Sequence, residues 1–541
     1  MKNIVYLFLA IISHTLLAQN NYIATSPAVS QPGLFNVIIG IGAGNGSLSG
    51  QSNAITGSYA GNALTSGTEN SFFGSNAGRN TSAGNSNLFI GANTGYTNTT
   101  GSNNIFLGES AGFYNTTGYS NTFVGKTAGN FNTSGNNNAF IGVNAGFWNT
   151  SGIQNSYMGY QAGFSSSIGY GNISIGALAG YSNQTGHNIV AIGDSAGFSN
   201  KASGNVFVGS KVGMNNTTGE ANTFIGFHAG FLNTTGFSNT FIGLNAGYQN
   251  SMGADNTFLG FGAGFLNSTG WHNTLLGAAA GSNSTTGAYN TFIGSSSGYN
   301  VTTGSNNSFM GYQAGYNVTT GNNNIIIGPT SGTTITNGND NVLMGYNSQA
   351  DDGLQNAIAI GANSRVASSN SLILGNQVNV GIGTSAPATR LEVVSETVDA
   401  SGLRLTNLTS QSKPALATDQ FLTVNEKGDV VKARYQLRIN HANEWSDKVF
   451  SPSYRLRPLS VVADYVQQHG HLPNVPSAQQ VVDNGVDLVK MNATLLEKVE
   501  ELTLYSIQLE KTNQEQQQEL QTLKQKQAAL EQKLDQLLKQ K

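Results

Sequence analysis

Through the middle of the chain, two adjacent apolar residues recur between an Asn and a Gly, in a unit of the form Asn-Thr-Phe-Ile-Gly-x-x-Ala-Gly-(Phe/Tyr)-x-Asn-Thr-Thr-Gly. The step is 17 residues: Asn53, Asn70, Asn87, Asn104, Asn121, Asn138, Asn155 and Asn172 keep it. After one 16-residue step at Asn188 it resumes through Asn205, Asn222, Asn239 and Asn256 to Asn341. A period this regular means one small unit stacked about twenty times over residues 36–377, each coil burying its neighbour. In Asn121-Thr122-Phe123-Val124-Gly125 the β-branched and aromatic residues predict a short strand; Ala128-Gly129 predicts a second, and Asn132-Thr133-Ser134-Gly135 a turn. Repeated glycines with no apolar spacing of 3.6 around them argue against a helix. The expected fold is an all-β repeat solenoid with one coil per unit.

Successive strand residues point to opposite faces, so Phe123 and Val124, Phe140 and Ile141, or Phe224 and Ile225 cannot both line one sheet interior. Both columns are apolar. One is therefore expected to fill the coil and the other to meet a second surface, most economically another copy of the chain. A bend that turns both inward is the competing expectation. Ala111, Ala128, Ala145, Ala162, Ala179 and Ala196 are expected opposite the large column, and the Asn column is expected to form a ladder of amides bonded from coil to coil.

Outside the repeats the pattern changes four times. Lys2, the apolar run Ile4 to Ile12 and Leu16-Leu17-Ala18 predict a secretory signal peptide over 1–18. Residues 19–35, with Pro27, Pro32 and Gly33, read as a cap for the first coil, whose edge would otherwise be unpaired. Residues 378–439 read as a β transition module, with strands from Gly402 to Leu408, Phe421 to Asn425 and Asp429 to Ala433, the last two joined at Glu426-Lys427-Gly428. Residues 440–485 turn helical: Pro458 opens a pattern of Leu459, Val462, Tyr465 and Val466 that stops at Gly470, and Ser477 caps a second helix ending near Gly485. Residues 486–541 carry heptads, with Leu495, Leu502, Leu509, Leu523, Leu530 and Leu537 at d and Val499, Ser506, Asn513, Leu520, Gln527 and Leu534 at a. This predicts a coiled coil whose polar seam residues Asn513 and Gln516 fix register.

Composition narrows the function. Charged residues make up 9% of the 541, against roughly 25% in a globular protein. The net charge of -3 and the lack of a basic run in the repeats leave no electrostatic footprint for nucleic acid or an anionic membrane. The absence of Cys excludes disulfides and thiolate metal sites. No apolar run after the signal peptide reaches the ~20 residues of a spanning helix.

Asn188-Ile189-Val190-Ala191-Ile192-Gly193, Asn356 to Ser364 and Ser371-Leu372-Ile373-Leu374-Gly375-Asn376 resemble the head repeats of trimeric autotransporter adhesins of the YadA type. The resemblance covers most of the repeat region. It implies a left-handed parallel β-roll with three chains side by side, and the longer period here implies an enlarged turn at Asn-Thr-Thr-Gly. Val380-Gly381-Ile382-Gly383-Thr384, with Pro387 and Arg390 to Val394, resembles the closing segment of tail-fibre-like and adhesin-like surface proteins. The segment from Trp445 to Phe450 and from His469 to Ala478 is loosely similar to the endosialidase-type intramolecular chaperone, which implies assisted trimer folding. Some relatives of that module cut themselves with a Ser and a Lys. Ser446 and Lys448 are the nearby pair here, at a spacing that departs from that pattern.

Candidate chemistry is otherwise thin. Gly40-Ile41-Gly42-Ala43-Gly44 lacks the strand-to-helix setting of a nucleotide fingerprint. Glu69, Glu109, Asp194 and Asp255 are too scattered for a calcium β-roll or for paired hydrolytic carboxylates. His469 and His471 lack a third metal ligand nearby in sequence. No catalytic, cofactor or metal site is expected. One column invites function: Phe113, Phe147, Phe164, Tyr181, Phe198, Phe231, Tyr248, Phe265, Tyr299 and Tyr316 follow the Ala-Gly step, either as a stacked ladder at a corner or interface or as an exposed stripe for sugars or apolar partners. The chain is thus expected to be an exported homotrimeric adhesin or display protein that binds a glycan or surface protein. Tail-fibre-like receptor binding and self-processing are the alternatives.

Overall fold

The computed structural model describes residues 22–24, 33–397, 400, 402–404, 406, 420–434, 441 and 445–539. The predicted signal peptide and most of the lead-in lie outside the described residues, as do Leu405, Asn407 and Leu408 of the strand expected from Gly402 to Leu408, whose described residues Gly402, Leu403, Arg404 and Thr406 are not in a strand. The chain divides into two units, Met1–Leu403 and Arg404–Lys541.

The first unit is a parallel β-solenoid of about twenty turns with 17-residue coils. Its 22-stranded sheet starts at Tyr22–Ala24, which pairs with Val37–Ile39 and covers the first coil, and ends at Ser371–Leu374. Each strand is three residues long in most coils, for example Thr122–Val124 on Ala139–Ile141, with Phe123 opposite Phe140. The middle residue is buried in the coil. Phe106, Phe123 and Phe140 stack with ring centroids 4.7 and 4.8 Å apart and planes within 5°. Ala111, Ala128 and Ala145 are likewise fully buried.

The predicted second strand at Ala-Gly does not form in these coils. Ser110 and Gly112, on either side of Ala111, both have φ of 58°, and residues in the left-handed region cannot extend a parallel strand. The segment is a tight turn that still bonds between coils, Gly112 N donating to Ala128 O at 2.9 Å. Gly is required at 112 twice over: besides its φ, a Cβ there would lie 2.5 Å from Phe106 Cε2. Second strands appear only near the end of the solenoid, where Gln349–Ala350 pairs with Arg365–Val366.

The Asn ladder is present. Asn121 Nδ2 donates to Asn104 Oδ1 at 3.1 Å in the preceding coil and to Gly135 O at 2.8 Å within its own. A second buried ladder stands where the sequence suggested only a turn: Asn115, Asn132 and Asn149 each donate to the Asn one coil earlier, at 2.8, 2.7 and 2.6 Å. Further Asn residues, such as Asn76, Asn93 and Asn144, occupy left-handed positions that Asn tolerates better than most residues. Three separate jobs thus account for the Asn content.

The irregular coil lies one unit later than the sequence spacing indicates. Ile173 pairs with Val190, and Val190 with Val206, so Ile189 occupies the ladder position and the 16-residue coil runs from Ile189 to Asn205. Asn188 has φ of 56° and stands in the left-handed position before it. Ile189 cannot continue the amide ladder, and the inner column also shrinks to Ser174 and Ala191. The buried core accordingly forms two clusters, Ile38 to Ala162 and Ala179 to Val366. Within the shortened coil, Asn200 Oδ1 accepts from Asn205 Nδ2 at 3.0 Å and from Asn216 Nδ2 of the next coil at 2.6 Å, tying the two ladders together.

After the solenoid, Val380–Ile382 pairs in parallel with Leu391–Val393. In the second unit Gln420–Val424 and Val430–Arg434 form the expected antiparallel hairpin. A 3₁₀ turn, Ser446–Phe450, follows. Helix α1, Leu459–His469, starts after Pro458 and ends at Gly470 with φ of 76°. Helix α2, Ala478–Asn484, carries a capping box between Ser477 and Gln480, as its sequence predicts. Helix α3, Leu488–Leu538, is capped by the Asp487 carboxylate, which accepts from Val489 N and Lys490 N.

Candidate functional surfaces

The outward residues of the solenoid strands build a uniform surface along the sheet. The third strand position is apolar in every coil but one, from Ile39 through Phe73, Ile90, Ile141 and Ile225 to Leu374, with Thr56 the exception. None of these side chains is buried within the chain; Phe73, Met158 and Met310 are 40, 49 and 48% exposed. The first position holds Thr, Ser, Ala, Ile, Val and Leu, and neither column contains a charged residue. Both apolar columns therefore do not turn inward. One fills the coil, and the other lies on an uncharged outer face.

The aromatic column is a half-buried stacked ladder. Phe147, Phe164, Tyr181 and Phe198 follow one another at 5.2, 5.0 and 4.9 Å with planes within 8°. Phe231, Tyr248 and Phe265 form a second run, and Tyr299 and Tyr316 a third. Interior rings have neighbours on both faces, so their edges rather than their faces point to solvent. A parallel run one position further on, Tyr114, Phe131 and Trp148, stacks at 4.8 and 4.2 Å and widens the patch. The sequence pattern found the first ladder; the second run was missed because only these three coils carry it.

Another cluster went unseen because its members come from different coil positions. His228 stacks on Phe227 at 3.8 Å and sits beside Phe231 and Tyr248. Burial, and then the Lys211 charge, lower its pKa. Inside the roll, Tyr157 replaces Phe, and its hydroxyl donates to Ser166 Oγ at 2.8 Å, where other coils carry Asn. Burial pushes the Tyr157 pKa up to about 12.

In the second unit the structure separates the two residues of the self-cleavage candidate. Ser446, 1% exposed, donates from Oγ to Glu500 Oε1 at 3.0 Å, whereas Lys448 Nζ lies 3.0 Å from Glu497 Oε2. Burial acts to raise the Glu497 pKa, but the Lys448 hydrogen bond and charge, with that of Lys498, outweigh it and hold the carboxyl below its usual range. Lys448 is thus engaged by a carboxylate on α3, while Ser446 is engaged by a different one. One turn along the same face of α3, Lys498 and the Tyr454 hydroxyl both bind Glu501, and Lys498 also lies 3.5 Å from Glu497. These acids on α3 act as clasps for the 3₁₀ turn, a role invisible in heptads read only for their apolar seam.

The remaining candidates stay apart from one another. His469 stacks on Tyr465, and the His469 and His471 ring centroids are 6.3 Å apart, each Nδ1 lying at hydrogen-bond distance from a backbone carbonyl. Among the described residues no group of three or more His, Asp or Glu could hold a metal ion, and no helix is long and apolar enough to cross a membrane. Gly40, Gly42 and Gly44 lie in a coil corner, with no helix after them. Glu109 pairs with Lys126 of the next coil at 2.9 Å on the surface, and Asp255 faces His272 at 3.9 Å. Compared with protein-family models, curated proteins and solved structures, the chain matches none.

Proposed function

We propose that the chain is an exported, elongated homotrimer whose solenoid serves adhesion or surface display. The observation that carries this reading is the uncharged outer face of the sheet. At ~4.8 Å per strand it is roughly 100 Å long, far larger than the scattered apolar residues a solitary soluble protein leaves in water. Sister chains packed on this face would bury it, and a threefold, left-handed arrangement follows from the likeness of the repeats to YadA-type heads. The module from Trp445 to Ala478 then assists assembly, in keeping with its likeness to intramolecular chaperones. Ligand contact, with a glycan or a surface protein, falls to the half-exposed aromatic ladder and the Asn, Ser and Thr side chains around it.

Sedimentation of the full chain, with cell fractionation, tests the proposal. Three chain masses in one particle, found outside the cytoplasm, are expected. A monomer at micromolar concentration would sink the reading, as would a hydrolytic activity mapped to the repeats. Replacing Phe147, Phe164 and Tyr181 with Ser should abolish ligand binding while the fold survives; unfolding would instead assign the ladder to structure alone.

A further inference from the structure

Helix α3 is covered on one flank and bare on another. Its buried residues, Ala493, Glu497 and Glu500, fall at heptad positions b and f, the flank clasped by the 3₁₀ turn through Glu497 and Glu500. The seam residues Leu495, Val499 and Leu502, at d, a and d, are 47, 56 and 63% exposed. They form one wall of an apolar hollow of about 560 Å³. Leu459 and Val462 of α1, with Leu472 and Pro473 beyond it, form another wall. α1 has no buried residue of its own. Two apolar surfaces thus flank one space, and neither is covered by its own chain.

We infer that this hollow is a socket for helix α3 of a second copy, so that α1 of one chain closes over its neighbour's helix. A small apolar ligand would fit the volume, but it would leave unexplained why the same stripe continues out of the hollow through Leu509, Leu523 and Leu537, each more than 60% exposed. A helix of the same sequence covers both. A parallel, in-register arrangement sets Asn513 and Gln527 against their own kind in the seam, where a slip of one heptad sets them against Ser506, Leu520 and Leu534. The core of the helical unit is then composite, assembled from one chain's α1 and seam and another chain's seam. The inference rests on the homo-oligomer reading and specifies where that oligomer is locked.

The chain has no cysteine, so one introduced thiol reports on one place. In the full-length oligomer Val462→Cys should be protected from a bulky maleimide, and it should react once Leu495→Asp and Leu502→Asp are added. Those aspartates should weaken association through the helices by about 100-fold. Differently tagged chains carrying Val462→Cys or Thr503→Cys, co-expressed and oxidised, should yield a mixed-tag disulfide. A full oligomer in which Val462→Cys reacts freely and no mixed disulfide forms overturns the socket while leaving the head-association reading intact, and it returns the hollow to a small ligand. A monomeric full-length chain overturns both. Circular dichroism of the aspartate variant guards against misfolding: with helix content lost, the mixed disulfide in the otherwise unaltered chain decides.

Discussion

Inside the solenoid, Phe72 through Phe309 are wholly buried by a single chain, coil upon coil, whereas residues 446–538 bury little beyond Ser446, Val449, Pro473, Ala493, Glu497 and Glu500. The solenoid unit completes its interior alone. The helical unit leaves most of its apolar residues exposed. Yet both carry an uncovered apolar stripe, one repeated every coil on the outer sheet face and the other along the α3 seam. Filling the coil and forming its outer face are separate properties, written in alternate residues of the same strand.

The largest effect that separates the regions comes from truncating their apolar residues. Phe140→Ala opens a cavity inside a stacked column and should cost about 3–5 kcal/mol, read by denaturant melting and independent of protein concentration. Leu502→Ala should instead shift a midpoint that depends on concentration if the helices associate as inferred above, because the contact it removes then lies between chains. Equal, concentration-independent losses would erase the distinction. A smaller effect is expected from Asn121→Ala, which strips Asn138 of an acceptor and Gly135 O of a donor inside the roll. Leaving such buried groups unpaired costs about 1–3 kcal/mol, and hydrogen exchange should quicken in the adjacent coils before distant ones.

pH should part the regions more gently. The Glu497 pKa is depressed, so its contribution is present above the ordinary carboxylate value of 4.5 and is lost as pH falls through the lower folded value. The clasp on the 3₁₀ turn should therefore loosen in acid, seen as altered Trp445 fluorescence, while the solenoid holds. Tyr157 runs the other way: its folded pKa is raised from 10.0 to about 12, so stability present below pH 10 falls as pH rises toward 12. Tyr157→Phe should remove that alkaline step, with a stability change of about 1 kcal/mol. An unchanged alkaline melt in this variant would place the sensitivity elsewhere.

What could be read from the chain beforehand follows from how local each cause is. The period, the split into one inward and one outward apolar column and the Asn104–Asn121 ladder were legible because each depends on residues one coil apart, whereas which apolar column turns inward was not. The helix ends at Gly470, Ser477 and Gly485 were legible because caps are local chemistry. The Ala-Gly turn was misread as a strand, since β propensity says nothing of the left-handed flanks at Ser110 and Gly112 that bend the chain there. The position of the short coil was mistaken because Asn188 imitates a ladder residue one place early; only strand register distinguishes it from Ile189. The Ser446–Glu500 and Lys448–Glu497 contacts join segments some fifty residues apart in sequence, and no local pattern announces such a pair.

The 16-residue coil shows what the stack tolerates. Ile189 interrupts the amide ladder, and the residue missing from the coil it opens is absorbed at Asn200, which accepts from both ladders, before regular register returns at Asn222. Since each coil bonds only to its two neighbours, inserting or deleting a complete unit creates no new kind of contact, while a fractional unit must be absorbed as this one is. The solenoid is therefore a ruler graduated in steps of ~4.8 Å: its reach can be lengthened or shortened by whole repeats, with the ends and the faces unchanged.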